Sequence, residues 1–232
     1  MKNLIINADD FGMSKEINSG TILGIKHGVI SSVSVMVNMP YFEEAVNFLK
    51  KHPRVSVGLH FNITEGKSIL IPRDVGSLLR EDNSFFFWPF LGQQILFKNI
   101  KLIEIQAELK AQFTKLSKTG LTITHIDSHH HIHLVPRIFK VISNFANQQK
   151  QVTLRGNEFD LWNLTIGIMK KPIPTQIIVN LMLLLNNLKN KKHNLYSAQR
   201  FYDLNWGKNF SIKEFELVLK NLPEGTTEFI CH

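Results

Sequence analysis

The feature that most limits the fold is an alternation along the chain. Short runs rich in β-branched and apolar residues give way, again and again, to longer segments whose apolar residues recur at helical spacing. Parallel strands joined by crossover helices leave this mark. The runs Leu4–Ala8, Ser32–Val37, Ser56–Leu59, Thr122–Ile126, Gln151–Leu154 and Thr227–Cys231 are read as strands. Between the first two, Ile22, Ile25 and Val29 line one helical face, with Ser14 placed to cap it and Gly28 near its end. Phe42, Ala45, Val46 and Leu49 line a second, after Pro40. The clearest helix covers 101–118, where Leu102, Ile105, Leu109, Phe113 and Leu116 step by three or four. Ile138, Val141, Ile142 and Phe145 follow Pro136 in a further helix, and Ile212, Phe215, Leu219 and Leu222 form the last. No internal repeat or low-complexity linker divides the chain. The expectation is one α/β domain over residues 1–232 with excursions at 64–99 and 158–207.

Composition narrows the chemistry. Cys231 is the only cysteine among 232 residues, so an internal disulfide and a thiolate metal cage are both excluded, and any metal must be held by histidine and carboxylate. The N-terminal MKNLIINADDFG lacks a small-residue cleavage site and reads as a first strand, which points to the cytoplasm. The longest apolar stretch, Ile177–Leu185, is interrupted by Asn180 and falls short of the roughly 18 residues of a membrane span. Net charge is +8, but apart from Lys189, Lys191 and Lys192 the basic residues are scattered and not interleaved with aromatics, so nucleic acid is not an expected partner.

Ligand-type side chains follow three of the strands: Asp9 and Asp10, then His60 in VGLHFN, then the histidine-rich THIDSHHHIH from 124 to 133. In parallel α/β folds the carboxyl ends of strands meet on one rim, so these residues are expected to converge around one ion or substrate. Adjacent carboxylates repel, and a cation is the natural remedy. Consecutive residues of an extended strand point to opposite sides, so one of the pair is expected to face the ion and the other to remain free as a base. The alternative for the pair is a turn that caps the helix near Ser14, and for a lone His60 a core residue. A mixed histidine and aspartate set leaves coordination positions open, as catalytic metal sites do.

The segments NADDFGMS, SSVSVMVNMP, VGLHFNIT, THIDSHHHIHLVPRIF and TEFICH together resemble the YdjC-like carbohydrate deacetylases, the group of the chitooligosaccharide and hopanoid-associated deacetylases. The resemblance covers residues 3–155 and the last six. It implies a deformed (β/α) barrel, TIM-barrel-like, with about seven strands, and removal of an N-acetyl group from an amino sugar. Asp10, His60 and His129 would bind one divalent cation, Mg2+ by family custom and Zn2+ by ligand type. Asp9 would be the catalytic base, His232 the general acid, and Arg155 the residue that orients the catalytic carboxylate. His125, Asp127, His131 and His133 resemble supporting or substrate-contacting residues. Compared with the family, the chain stops at His232 and is expected to lack a C-terminal extension.

Aromatic residues bear on the substrate. Trp162 and Trp206 are the candidates for stacking on sugar faces, whereas most of the run Phe85, Phe86, Phe87, Trp88 and Phe90 is expected to be buried in a lid. The leucine-rich helix 177–188 is a candidate homodimer contact or lipid-facing surface. Two other classes stay open: a phosphoesterase or amidohydrolase with several metals, for which Glu65, Asp74 and Glu158 are the spare carboxylates, and a catalytically impaired carbohydrate-binding homologue.

Overall fold

A computed structural model describes residues 1–97, 99–155, 181, 182, 185, 198–203 and 211–232. Its strands are β1 (Lys2–Phe11), β2 (Ser32–Val35), β3 (Ser56–Phe61), β4 (Ile123–Ser128), β5 (Thr153–Leu154), β6 (Arg200–Asp203) and β7 (Gly225–Cys231). They form one sheet in the order β5-β4-β3-β2-β1-β7-β6, and every neighbouring pair is parallel. Arg155, just past the edge strand β5, bonds to Asp9 on β1 and Glu228 on β7, four and five places away in that order. A flat sheet could not bring these side chains together, so the seven strands curl into an open barrel, the expected class.

Alternation along the strands sorts side chains to the two faces. Ala8, Val33, Val35, Val57, Leu59, Ile126 and Leu154 point outward and are buried against the helices. The residues between them, among them Asn7, Asp9, Ser34, His60, Asp127 and Glu228, are also buried yet polar. The barrel therefore has its apolar core outside the sheet and a hydrogen-bonded polar interior.

The helices are α1 (Lys15–Lys26), α2 (Phe42–Leu49), α3 (Phe90–Leu96), α4 (Leu102–Ser117), α5 (Pro136–Gln148) and α6 (Ile212–Lys220). Ser14 caps α1 by accepting from the Ile17 amide at 3.3 Å, and Gly28 turns the chain away with φ 72°. The apolar stripe of α4 buries Ile105, Leu109 and Leu116. The same helix also buries Glu108, which accepts from the amides of Ile69 and Leu70, and Gln112, which bonds the backbone of Asn62 in both directions. These polar residues tie the first excursion to the barrel. Within it, Lys67 bridges to Ser84 and Leu79 to Phe85.

Several expectations are corrected. Val29 lies beyond the end of α1 and is exposed, because the helix stops at Lys26. Strand β6 falls inside the segment read as a second excursion. Of the aromatic run Phe85 is buried, but Phe87 and Trp88, in the segment before α3, and Phe90, at its first position, are exposed. Trp162, Trp206 and most of the leucine-rich helix lie outside the described residues. Among the described residues no helix is long and apolar enough to cross a membrane.

Candidate active site

The carboxyl ends of β1, β3 and β4 bring Asp10, His60 and His129 together, with one ligand-type atom from each within 4.8 Å of the others. All three are buried. Asp10 Oδ1 accepts from His129 Nδ1 at 2.8 Å and meets His60 Nε2 at 3.1 Å, while Oδ2 lies 3.0 Å from His232 Nδ1. Burial would raise the Asp10 pKa, but the bonds from His129, His232 and His60 win and hold it far below the usual carboxylate range.

Strict strand alternation fails at this point. Asp10 has φ 59°, and the pairing of β1 with β2 slips between Ala8 and Phe11. This bulge turns Asp10 back toward the rim, so Asp9 and Asp10 both serve the same site instead of opposite faces. The chain then turns at Gly12, φ 102°, where a Cβ would press on the Met36 carbonyl at 3.1 Å.

Asp9 is in a different setting. Arg155, fully buried, donates Nη1 to Asp9 Oδ2 at 2.8 Å and Nη2 to Oδ1 at 2.6 Å, and Asn7 Nδ2 donates to Oδ1 at 2.7 Å. The same guanidinium reaches Asp127 Oδ2 at 2.5 Å and Glu228 Oε1 at 2.9 Å. Burial disfavours its charge, but Asp127, Asp9 and Glu228 outweigh that and fix it as a cation.

Asp127 links the two halves. Its Oδ1 accepts from His60 Nδ1 at 2.7 Å, which leaves Nε2 directed at Asp10, and its Oδ2 accepts from Ser34 Oγ at 2.6 Å. Desolvation opposes the charge on His60, yet Asp127, Asp9 and Asp10 lift its pKa to about 10. A carboxylate on the far nitrogen is how metal-binding imidazoles are commonly oriented. The donor set of one carboxylate and two imidazoles on three strand ends fits a divalent cation. A second cluster, Asp9, His60 and Asp127, is as compact, but Arg155 already supplies its positive charge.

The other histidines divide by position. His125 sits one layer lower: its ring lies over Gly58, its register partner, and reaches Ser34 Oγ at 3.2 Å while Thr124 Oγ1 holds the other nitrogen at 2.9 Å. It is not at the rim. His130 and His131 have φ 52°, which breaks the turn after β4 and leaves the His130 ring tilted against His129 and bonded to Thr64. Burial and the nearby His129 push the His130 pKa down to about 4. His131 packs against Phe201 of β6 and His133. His133 is buried, pairs with Ser128 at 2.6 Å, and is kept neutral by burial and its charged neighbours.

Three contributors escaped the sequence reading: Asn7, Ser34 and Glu228. Asn7 and Ser34 are polar residues at strand positions that face the same way as Asp9 and Gly58, a signal available in the alternation. Glu228 is the one charged residue of β7, whose sequence is GTTEFIC. Glu65, named only as a spare carboxylate, lies 3.4 Å from His129 Nε2, whereas Asp74 pairs with Arg73 away from the cluster and Glu158 is outside the described residues.

An open parallel barrel with a buried aspartate and histidine cluster at its carboxyl rim defines a protein with a metal-competent rim site. A family model describing the YdjC-like proteins matches residues 3–232, and the chain belongs to that family. It is 30% identical to a carbohydrate deacetylase of Thermoanaerobacter pseudethanolicus over its whole length and 81% of that protein. A carbohydrate deacetylase of Geobacillus stearothermophilus is 40% identical over 63% of this chain, and a chitooligosaccharide deacetylase of Serratia marcescens 39% identical over 64%. These two alignments span 56% and 57% of the relatives' lengths. Among solved structures, a candidate cellobiose-phosphate cleavage protein of Enterococcus faecalis V583 superposes with a TM-score of 0.78 and 27% identity, over all of this chain and 80% of that one.

Proposed function

We propose that the protein hydrolyses the N-acetyl group of an amino sugar, releasing acetate and leaving a free amine. The observation that carries the reading is the sorting of the two neighbouring aspartates: Asp10 gathers three imidazoles, while Asp9 is clamped by a guanidinium. The named activities of the relatives, carbohydrate and chitooligosaccharide deacetylation, supply the substrate class.

Asp10, His60 and His129 would hold one divalent cation, with Mg2+ and Zn2+ the two ions to compare. A cation there supplies polarisation of the acetyl carbonyl and acidification of water. Asp9 takes the proton of the attacking water on Oδ2, which accepts one bond, from Arg155 Nη1, and keeps a lone pair, whereas Oδ1 accepts from both Arg155 Nη2 and Asn7 Nδ2. Arg155 fixes the plane of that carboxylate. His232, whose side chain is 28% exposed and the most open of the set, gives a proton to the departing nitrogen, and Asp10 Oδ2 stabilises its imidazolium. Asp127 keeps His60 Nε2 facing the ion, and Ser34 in turn holds Asp127. His131 stands at the rim beside β6 as a substrate contact, His125 and His133 are internal supports, and Trp162 and Trp206 are assigned to the sugar-stacking role.

The test is acetate release from N-acetylglucosamine oligomers with Mg2+, Zn2+ or chelator. The expected result is turnover that chelator abolishes, lost with the metal in His60→Ala, and reduced by about 10²–10⁴ with the metal retained in Asp9→Asn. Near wild-type turnover in both variants overturns the assignment.

A further inference from the structure

Glu228 has no task in the mechanism above, yet its placement is costly. It stands on β7, 3% exposed, with Oε1 accepting from Arg155 Nε at 2.9 Å. Its other oxygen is buried and has no hydrogen-bond partner among the described residues. Burial pushes its pKa up to about 7, Asp127 and Asp9 add to the rise, and Arg155 opposes it. A buried carboxylate with an orphaned oxygen is a poor stability device, because an apolar residue of similar volume is commonly as good or better. Some other requirement keeps it there.

The geometry of the guanidinium supplies one. Arginine presents a rigid planar fork, and its Nε edge and Nη edge are fixed relative to each other. Glu228 grips the Nε edge, and Asp9 receives both Nη groups. Asp127 competes for Nη2 at 2.5 Å, and the hold on Nε opposes a pivot of the fork toward Asp127. Below Glu228 the barrel opens at its amino end into a mouth of about 450 Å³ lined by Ser31, Ser32, Ser56, Thr124, Thr153 and His125. Ile5 completes that lining, and Glu228 itself forms part of the wall of the mouth. The charged and titratable groups facing Glu228 are Arg155, Asp127 and Asp9, with His125 in the same mouth and kept neutral chiefly by burial.

We propose that Glu228 is a positioning residue for the deacetylation: it locks the Arg155 guanidinium from the amino side of the barrel so that Asp9 is held in one orientation. The inference rests on Asp9 acting as the base. It predicts that the effect of Glu228 is transmitted only through Arg155 and Asp9, not through the metal.

The experiment compares wild type with Glu228→Gln, Glu228→Leu and Glu228→Ala by steady-state kinetics on N-acetylglucosamine oligomers, bound-metal content and thermal melting. Glu228→Gln keeps an acceptor for Nε and should retain kcat within about 3-fold, whereas Leu and Ala should lose about 10–100-fold in kcat with KM and metal content little changed. Placing Glu228→Leu on the Asp9→Asn background should add almost no further loss, since the pair acts as one unit. Wild-type kcat in both Leu and Ala variants, or an undiminished loss on the Asp9→Asn background, overturns the proposal. If wild type deacetylates no sugar, the activity reading fails separately. A crystal structure of Glu228→Leu then decides this one: Arg155 swung off Asp9 supports it, and both bonds intact refute it.

Discussion

Replacing Gly58 with alanine tests the layered polar interior at its tightest point. A Cβ built on Gly58 falls on the His125 ring, 2.6 Å from Cε1 and closer to Nε2 and Cδ2, which no packing adjustment short of moving the ring can relieve. The ring is 6% exposed and lies across Gly58 to reach Ser34, with Thr124 on its other side. Displacing it costs about 1–3 kcal/mol of overpacking. Two buried hydrogen bonds are lost as well, at about 1 kcal/mol each. The sum is about 3–5 kcal/mol, which for a chain this long lowers Tm by roughly 10 °C. Urea and thermal unfolding measure it directly. The same substitution on a His125→Ala background should cost less than about 1 kcal/mol, because the obstructing ring is gone. A Gly58→Ala protein within 1 kcal/mol of wild type, or an equal cost on both backgrounds, refutes the close approach of ring and backbone.

Other outcomes follow from the same structure. Arg155→Lys offers one ammonium where three carboxylates need a fork, so it should lose about 3–5 kcal/mol in urea unfolding. It should also lose turnover comparably to Asp9→Asn. Metal affinity measured by titration calorimetry should weaken about tenfold for each pH unit lowered below about 10, because His60 must release the proton that Asp127, Asp9 and Asp10 favour. For the metal-free protein the sign reverses: the raised pKa of His60 stabilises the fold fully below its ordinary 6.5, and that contribution disappears as pH rises through about 10, which melts at pH 6 and 10 would show. Leu109→Ala, in the fully buried stripe of α4, should cost about 2–5 kcal/mol in urea unfolding without changing metal content.

Much of the architecture was legible because it depends on local repetition. The steps of three and four in Leu102–Leu116 and the apolar alternation in β1 to β4 each mark the face that a neighbouring layer must cover, and short strands alternating with helices admit few topologies. The clustering of Asp10, His60 and His129 followed from the same rule, since parallel strands end on one rim. Strand β6 was missed because Arg200–Asp203 is brief and has no flanking pattern to set it apart. His125 was read with its neighbours as a rim residue, but position along a strand sets depth, and two residues move a side chain one layer down the barrel.

By itself, then, the order of residues determined the parallel α/β layering, the helix faces and which strand tips carry metal-type ligands, because those follow from periodicities of two and about 3.6 along one chain. The surroundings of the two aspartates were decided only in three dimensions. A bulge with positive φ at Asp10 turned it onto the imidazoles, and the curl of the sheet carried Arg155 across the barrel to Asp9, Asp127 and Glu228. Neither event is written in a local pattern: each arises from strands far apart in sequence closing around a shared polar interior, where every buried charge must find its partner.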